Sequence, residues 1–213
     1  MTNRPLVILG THGLAAEVAD VASQSGWTVT AFVENMDRDR CRESIEGLPV
    51  VWVDELRDLA ATHLALGGLG TTRRSRFAIE AAGLGMSFAT VVHPSAEVSS
   101  TVTIGEGTVI GVRTVVATRA TIGAHVYVNR GAMIGHHTAI GDYTSVQPGA
   151  VVAGACTIGS GTWIGVGAIV IDHLSVGDDV VIGAGAVVTK DVPDAVQVVG
   201  VPARVVKEGI SGR

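Results

Sequence analysis

An α/β domain followed by a β-solenoid is the fold this 213-residue sequence predicts, on three observations. Isoleucine or valine stands at every sixth position from Val98 to Val188 without a break, as in Val128, Ile134, Ile140 and Val146. No helix or ordinary strand has that period; a strict short repeat is a solenoid, whose units bury an apolar face only by stacking on one another. Four residues after each aliphatic comes, with few exceptions, Ala, Cys, Thr or Val, as at Ala132, Thr138, Thr144 and Cys156. A β-branched residue inside and a small one at a bend describe a short strand with a tight corner. The third observation is that segments before residue 93 alternate between strand and helix patterns.

In order, Leu6–Leu9 reads as a buried strand, Leu14–Ser23 as an amphipathic helix and Val29–Val33 as a second strand. Pro49–Trp52, a helical Asp54–Ala61, the strand His63–Leu66, a helical Thr72–Ala82 and Ser87–Val92 complete the series. Strands alternating with helices predict a small parallel sheet wound like half a Rossmann fold over residues 1–92, and His93-Pro94-Ser95 marks the boundary with the solenoid of 93–213. Within the solenoid glycine follows the aliphatic residue at Gly105, Gly111, Gly123, Gly135 and Gly141, among others, where a corner would use its freedom at positive φ.

A composition of 47% apolar residues with a net charge of −5 describes a globular chain without the basic surplus that a nucleic-acid partner requires. The start MTNRPLVILG is too brief an apolar run for a signal peptide or membrane span, so the cytoplasm is expected. Cys41 and Cys156 form neither a metal pattern nor a disulfide framework, and Cys156 in a small-residue column is expected to be inert packing. Gly10-Thr11-His12-Gly13, between a strand and a helix, puts backbone N–H groups where an anionic phosphate binds. It is not GxGxxG, which argues against a dinucleotide. Arg73 and Arg74, past the glycine-rich strand end, are candidates to clamp a pyrophosphate at the same sheet edge.

The hexapeptide pattern, with the loop Val7–Gly13, the junction His93–Ala96, the stretch Ile134-Gly135-His136-His137-Thr138-Ala139-Ile140-Gly141-Asp142 and the endings Gly183–Pro193 and Gly200–Arg204, resembles the bacterial nucleotide-sugar acetyltransferases and the related sialic acid O-acetyltransferases. That resemblance implies a left-handed parallel β-helix with three units per coil, so the sixteen units give about five coils. It implies acetyl-CoA as cosubstrate with no metal, a UDP- or GDP-linked amino sugar as acceptor held by the small domain, and a homotrimer with acetyl-CoA at a subunit boundary. His136 matches the family's catalytic histidine; a neutral imidazole is suited to take a proton from an amine or hydroxyl attacking a thioester.

Further roles follow from the same resemblance. Asn129 matches a polar residue near the acceptor, and His137 stands where relatives carry Asp or Glu to orient the histidine. Ser145 stands at a position that some relatives fill with another histidine near acetyl-CoA, Gly154 is matched to the oxyanion N–H, and Arg204 belongs to the acetyl-CoA ending. Gly10, His12, Gly13, Glu34, Arg73 and Arg74 are the expected contacts to the nucleotide sugar. Asp172 shares the corner column of His136 two coils on, about 9.6 Å along the stack and too far for direct contact.

N-acetylation of a nucleotide-linked amino deoxysugar is the leading expectation, with sugar O-acetylation the alternative because it uses the same base and thioester, and a silent scaffold subunit the third. A zinc-dependent carbonic-anhydrase-like site would need three converging histidines, and no His-x4-His spacing follows His136.

Overall fold

The computed structural model describes residues 4–213, which divide into two compact units: residues up to Gly70 with Arg74–Val92, and Thr71–Arg73 with His93–Arg213. The first unit is built on β1 (Leu6–Leu9), α1 (Gly13–Gln24), β2 (Val29–Glu34), β3 (Ser44–Ile45), β4 (Leu48–Trp52), α2 (Leu56–Leu59), β5 (Leu64–Gly67) and α3 (Ser75–Gly83). Its sheet runs β3-β4-β2-β1-β5. β1 pairs in parallel with β2 and β5, and β2 with β4. All four residues of β1 are buried, as its continuous apolar run demands for a central parallel strand covered on both faces.

Two local features depart from the expected series. β3 is an antiparallel edge strand joined to β4 through Glu46 and Gly47, both at positive φ, the geometry of a two-residue hairpin turn. The helix expected from Asp54 is a 3₁₀ turn over Val53–Glu55 followed by the single turn of α2, and the Glu55 carboxylate caps its start by accepting from the Trp52 N–H at 3.0 Å. The segment Ser87–Val92 contributes a bridge from Phe88 to Ala65 and the short strand Val91–Val92.

The second unit contains sixteen two-residue strands, from Glu97–Val98 to Val187–Val188. They fall on three faces, because each strand pairs in parallel with the one eighteen residues later, as Val116 does with Ile134. One face carries Glu97–Val98, Val115–Val116, Met133–Ile134, Val151–Val152, Ile169–Val170 and Val187–Val188; the next runs from Thr103–Ile104 to Ser175–Val176; the third includes Val109–Ile110, Tyr127–Val128, Ser145–Val146, Trp163–Ile164 and Val181–Ile182. Strand Val196–Val199 and the antiparallel Arg204–Glu208 close the third face. This three-faced parallel stack fits the left-handed β-helix of hexapeptide repeats.

Inside, the aliphatic column forms one continuous core, with Ile110, Val128, Ile134, Val146, Val152 and Ile164 at no more than 1% exposure. Each such side chain contributes about 1.5–3 kcal/mol by leaving water. The small column does more than fill bends. Thr138 Oγ1 donates to Ala153 O at 2.8 Å and accepts from Cys156 N, and Thr108, Thr144 and Thr162 repeat the pattern, so buried backbone groups of adjacent coils are satisfied through a hydroxyl. Cys156 takes the same place with its thiol donating to Ile171 O, and burial pushes its pKa up, which keeps it a thiol.

The corner glycines act differently from expectation. Positive φ falls two residues after them, at every sixth position from Gly107 through His137 to Gly185, with φ of 53–69°. The glycines directly after the aliphatic residues are needed for close stacking. A Cβ on Gly135 would lie 2.4 Å from Ala153 C and 2.5 Å from Gly154 N in the next coil, where nothing can yield without moving backbone.

Candidate active site

His136 and His137 lie at the corner that follows Met133–Ile134, and both rings are exposed. His137 holds the left-handed corner conformation, φ 58°, which turns its side chain beside that of His136. The two Nδ1 atoms are 3.1 Å apart with ring planes 84° to each other. One Nδ1 must carry the hydrogen and the other accept it. Gly154 occupies the same corner one coil on. A Cβ there would lie 2.6 Å from both Nε2 and Cε1 of His136, so the imidazole rests on the bare glycine with its Nε2 edge directed along the corner.

Elsewhere in the coil an acidic side chain often takes the N–H of the equivalent residue one coil before: Asp142 Oδ1 accepts from Ala124 N and Asp178 Oδ1 from Ser160 N. Asp172 is placed to do this for Gly154, but its Oδ2 accepts from His173 Nδ1 at 2.8 Å. The Gly154 N–H has no hydrogen-bond acceptor among the described residues.

The other expected residues are more dispersed. Asn129 sits at the preceding corner, after Tyr127–Val128, and is buried with its Oδ1 accepting from Arg130 N at 2.7 Å; no hydrogen bond links it to His136. Ser145 lies on the strand face of Tyr127 and Trp163, buried, and within one chain is not brought to the His136 corner. Arg204 is exposed, donates to Ala203 O, and lines a cavity of about 270 Å³ with Val188, Lys190, Asp191 and Val205. Lys190 lies in the last corner, after Val187–Val188; this corner is two residues shorter than the one before it, because Val192 bridges Val176 across sixteen positions. Among the described residues no three His, Cys, Asp or Glu side chains form a metal-sized cluster.

In the first unit, Gly10 ends β1 at φ 112°, a conformation a side chain would strain, and Gly13 opens α1 with His12 as its N-cap. Glu34, at the end of β2, is buried. Its Oε1 accepts from the N–H groups of Asn35, Met36 and Asp37 and its Oε2 from Thr11 Oγ1. Burial raises its pKa, but the Thr11 hydroxyl and the three N–H groups outweigh that and hold the carboxyl below its ordinary value. With both oxygens engaged, Glu34 fastens the loop after β2 to the glycine loop.

Arg74 is buried with its stem 3.9 Å from the Cβ position of Gly67, at the end of β5. Arg73 belongs to the second unit and donates to Ser211 Oγ at 3.2 Å. The cation on the glycine loop is Arg40, from the 3₁₀ turn Arg38–Arg42. It donates to Thr11 O at 3.0 Å, meets His12 Nδ1 at 3.2 Å and lies 3.9 Å from Glu34, with a buried Nε that has no hydrogen-bond partner. The basic run Arg38-Asp39-Arg40-Cys41-Arg42 was its only signal in the sequence.

The bacterial transferase hexapeptide (six repeats) family matches residues 119–154 and 155–190. Among solved structures, a histidine-to-asparagine variant of perosamine N-acetyltransferase from Caulobacter crescentus, in complex with CoA and GDP-perosamine, is 31% identical, with 96% of this chain and 97% of that chain covered and a TM-score of 0.89. The acetyltransferase domain of PglB from Neisseria gonorrhoeae in complex with acetyl coenzyme A is 31% identical over 96% of this chain and 100% of that one, TM-score 0.88. WeeI from Acinetobacter baumannii is 27% identical over 95% and 99%, TM-score 0.87. No curated protein matches this chain in sequence.

Proposed function

Because the chain belongs to the bacterial hexapeptide-repeat nucleotide-sugar acetyltransferases, we propose that it transfers the acetyl group of acetyl-CoA to the amino group of a nucleotide-linked amino deoxysugar, with His136 as general base. The observation that carries this reading is the His136 imidazole lying on Gly154 with its Nε2 edge unobstructed by a side chain. For Nε2 to accept a proton, Nδ1 must hold the ring hydrogen and donate it to His137 Nδ1, 3.1 Å away. His137 thus fixes the tautomer, the part a carboxylate plays when it follows such a histidine.

The reaction then runs from the neutral sugar amine. Its nitrogen attacks the thioester carbonyl, a C–N bond forms, and His136 Nε2 takes the amine proton. The carbonyl oxygen gains negative charge, for which the unpartnered N–H of Gly154 is a donor. The C–S bond breaks as the carbonyl re-forms, and the imidazolium returns the proton to the departing thiolate, leaving the amide and CoA.

From His136 to Lys190 the corner spans three coils, about 14 Å along the stack. A pantetheine arm along this column would bring the phosphates of CoA to Lys190, Arg204 and the cavity they line. The nucleotide is assigned to the first unit, where Gly10, Gly13, the start of α1, His12 and Arg40 surround the glycine loop and Arg74 stands at the same sheet edge. The order β4-β2-β1-β5, with that loop at the carboxyl end of β1, supports a Rossmann-like reading.

A homotrimer is part of the same proposal. The face carrying Val115, Met133 and Ile169 is apolar and exposed, with Met133 at 46%, and it runs between the corners of Asn129 and His136. Covering it with a second copy would give the exposed His136 another wall. No helix among the described residues is long and apolar enough to cross a membrane, and the acetyl-CoA supply favours the cytoplasm.

Acetyl-CoA turnover with a panel of GDP- and UDP-linked amino sugars, followed by thiol release, tests the reading. His136→Ala should lower kcat by about 10²–10⁴. Undiminished turnover in that variant, when chemistry limits the rate, would overturn it.

A further inference from the structure

His136 lacks an anion at its side, since His137 follows it, and an imidazolium formed there gains no charge compensation from its neighbour. The rest of the corner supplies few alternatives. One coil before stand Thr118 and Arg119, one coil after Gly154 and Ala155, two coils after Asp172 and His173, and three coils after Lys190 and Asp191. The strands packed on either side of the corner, Met133–Ile134 and Ala139–Ile140 with their neighbours Val115–Val116, Val151–Val152, Thr121–Ile122 and Thr157–Ile158, carry no charged residue. Asp172 is therefore the nearest anion of the column.

Two coils would separate most such pairs, but here the intervening residue has no side chain. The His136 ring leans over Gly154, its Nε2 within 2.6 Å of the empty Cβ position, and Asp172 is the next residue in line. One coil of stacking from that position leaves roughly 5–7 Å between Nε2 and the Asp172 side chain. We propose that Asp172, acting through the gap left by Gly154, is the positioning anion of this site: it stabilises the His136 imidazolium through space in place of a carboxylate adjoining the base.

Two further observations agree. Hydrogen bonding from His173 and, more weakly, the proximity of His136 hold the Asp172 carboxyl below its ordinary value, so it is an anion at neutral pH. His173 Nδ1 donates to Oδ2 at 2.8 Å, which fixes the carboxylate on the corner instead of leaving it to cap the Gly154 N–H. The Asp172–His173 pair thus keeps one anion and one oxyanion donor available at adjacent levels of the same column. Asp172 touches no reacting atom in this arrangement and acts through His136.

The catalytic consequence rests on the reading of His136 as base, whereas the electrostatic coupling does not, and the experiment separates them. In the substrate-free protein, NMR titration of the His136 ring should shift to lower pH by about half a unit in Asp172→Asn, as expected for loss of an exposed charge at this range. Asp172→Glu should restore most of the shift, and 1 M salt should reduce it in the wild-type protein. The acidic limb of the kcat/KM profile should move in the same direction by a similar amount. An unmoved His136 titration in Asp172→Asn would overturn the inference, as would a shift that Asp172→Glu fails to restore. If the titration shifts while His136→Ala remains fully active, the coupling stands and the general-base reading falls.

Discussion

Adding a single methyl group at Gly154 should damage catalysis without damaging the fold. In Gly154→Ala the new Cβ would lie 2.6 Å from Nε2 and Cε1 of His136, against the 3.5 Å or so at which such atoms rest, so the ring must move by about 1 Å. The nearest obstacles are all atoms of that one exposed side chain, and Gly154 does not have positive φ, so the backbone accommodates alanine. A displacement of about 1 Å in a reacting group costs on the order of 10²-fold in rate, or ~2.7 kcal/mol of barrier. Thermal unfolding should stay level or rise slightly, since replacing glycine at a compatible position adds about 0.4–1 kcal/mol. Gly135→Ala is the contrast. Its Cβ would meet Ala153 C, Gly154 N and Ala153 O at 2.4–2.7 Å, all backbone, so overpacking should lower stability by about 1–3 kcal/mol. Stopped assays of thiol release with saturating acetyl-CoA and nucleotide sugar, beside calorimetric unfolding of both variants, make the comparison. Turnover by Gly154→Ala within about threefold of the wild type, under ~0.7 kcal/mol, would refute the placement of His136 over that glycine as the catalytic geometry.

Two further outcomes test other parts of the site and its assembly. Arg40→Ala should weaken the nucleotide sugar by about 10–100-fold, the worth of a charge-assisted hydrogen bond of ~1.5–3 kcal/mol, and leave CoA affinity unchanged in calorimetry; equal losses for both ligands would remove Arg40 from the nucleotide site. Met133→Glu puts a charge in the exposed apolar face and should shift light scattering from trimer toward monomer, with turnover falling alongside; a variant of unchanged mass would show that the subunits meet elsewhere.

The solenoid was legible because its order is local and repeated. Each of Ile134, Ile140 and Val146 makes the same choice as its neighbours eighteen residues away, so the side-chain pattern and the stacking support one another at every level. The meaning of the corner glycines was misread for a reason the same coil exposes. Sequence shows that Gly135 recurs in its column but not that the next backbone passes 2.4 Å from its missing Cβ, and the left-handed conformation falls instead on His137. In the first unit, β1 and α1 were plain from apolar runs and periodicity, whereas the edge strand β3 was not. Two residues leave too little pattern, and their pairing depends on the turn at Glu46-Gly47.

By itself the sequence determined the repeating core and the strand–helix alternation that precedes it, because residue type and period carry those directly, whereas His136 was singled out from among seven histidines by the resemblance to the acetyltransferases. The tertiary structure decided what surrounds each chemical group. It put Arg40 on the glycine loop across 28 positions of chain, took up one oxygen of Glu34 in the loop after β2 and the other at Thr11 of the glycine loop, buried Asn129 and Ser145 away from the His136 corner, and laid His136 on Gly154 in line with Asp172. Contacts of that kind depend on which coil lies above which and on what a neighbouring residue lacks. A list of residues holds the glycine, but only the folded chain shows the space it leaves.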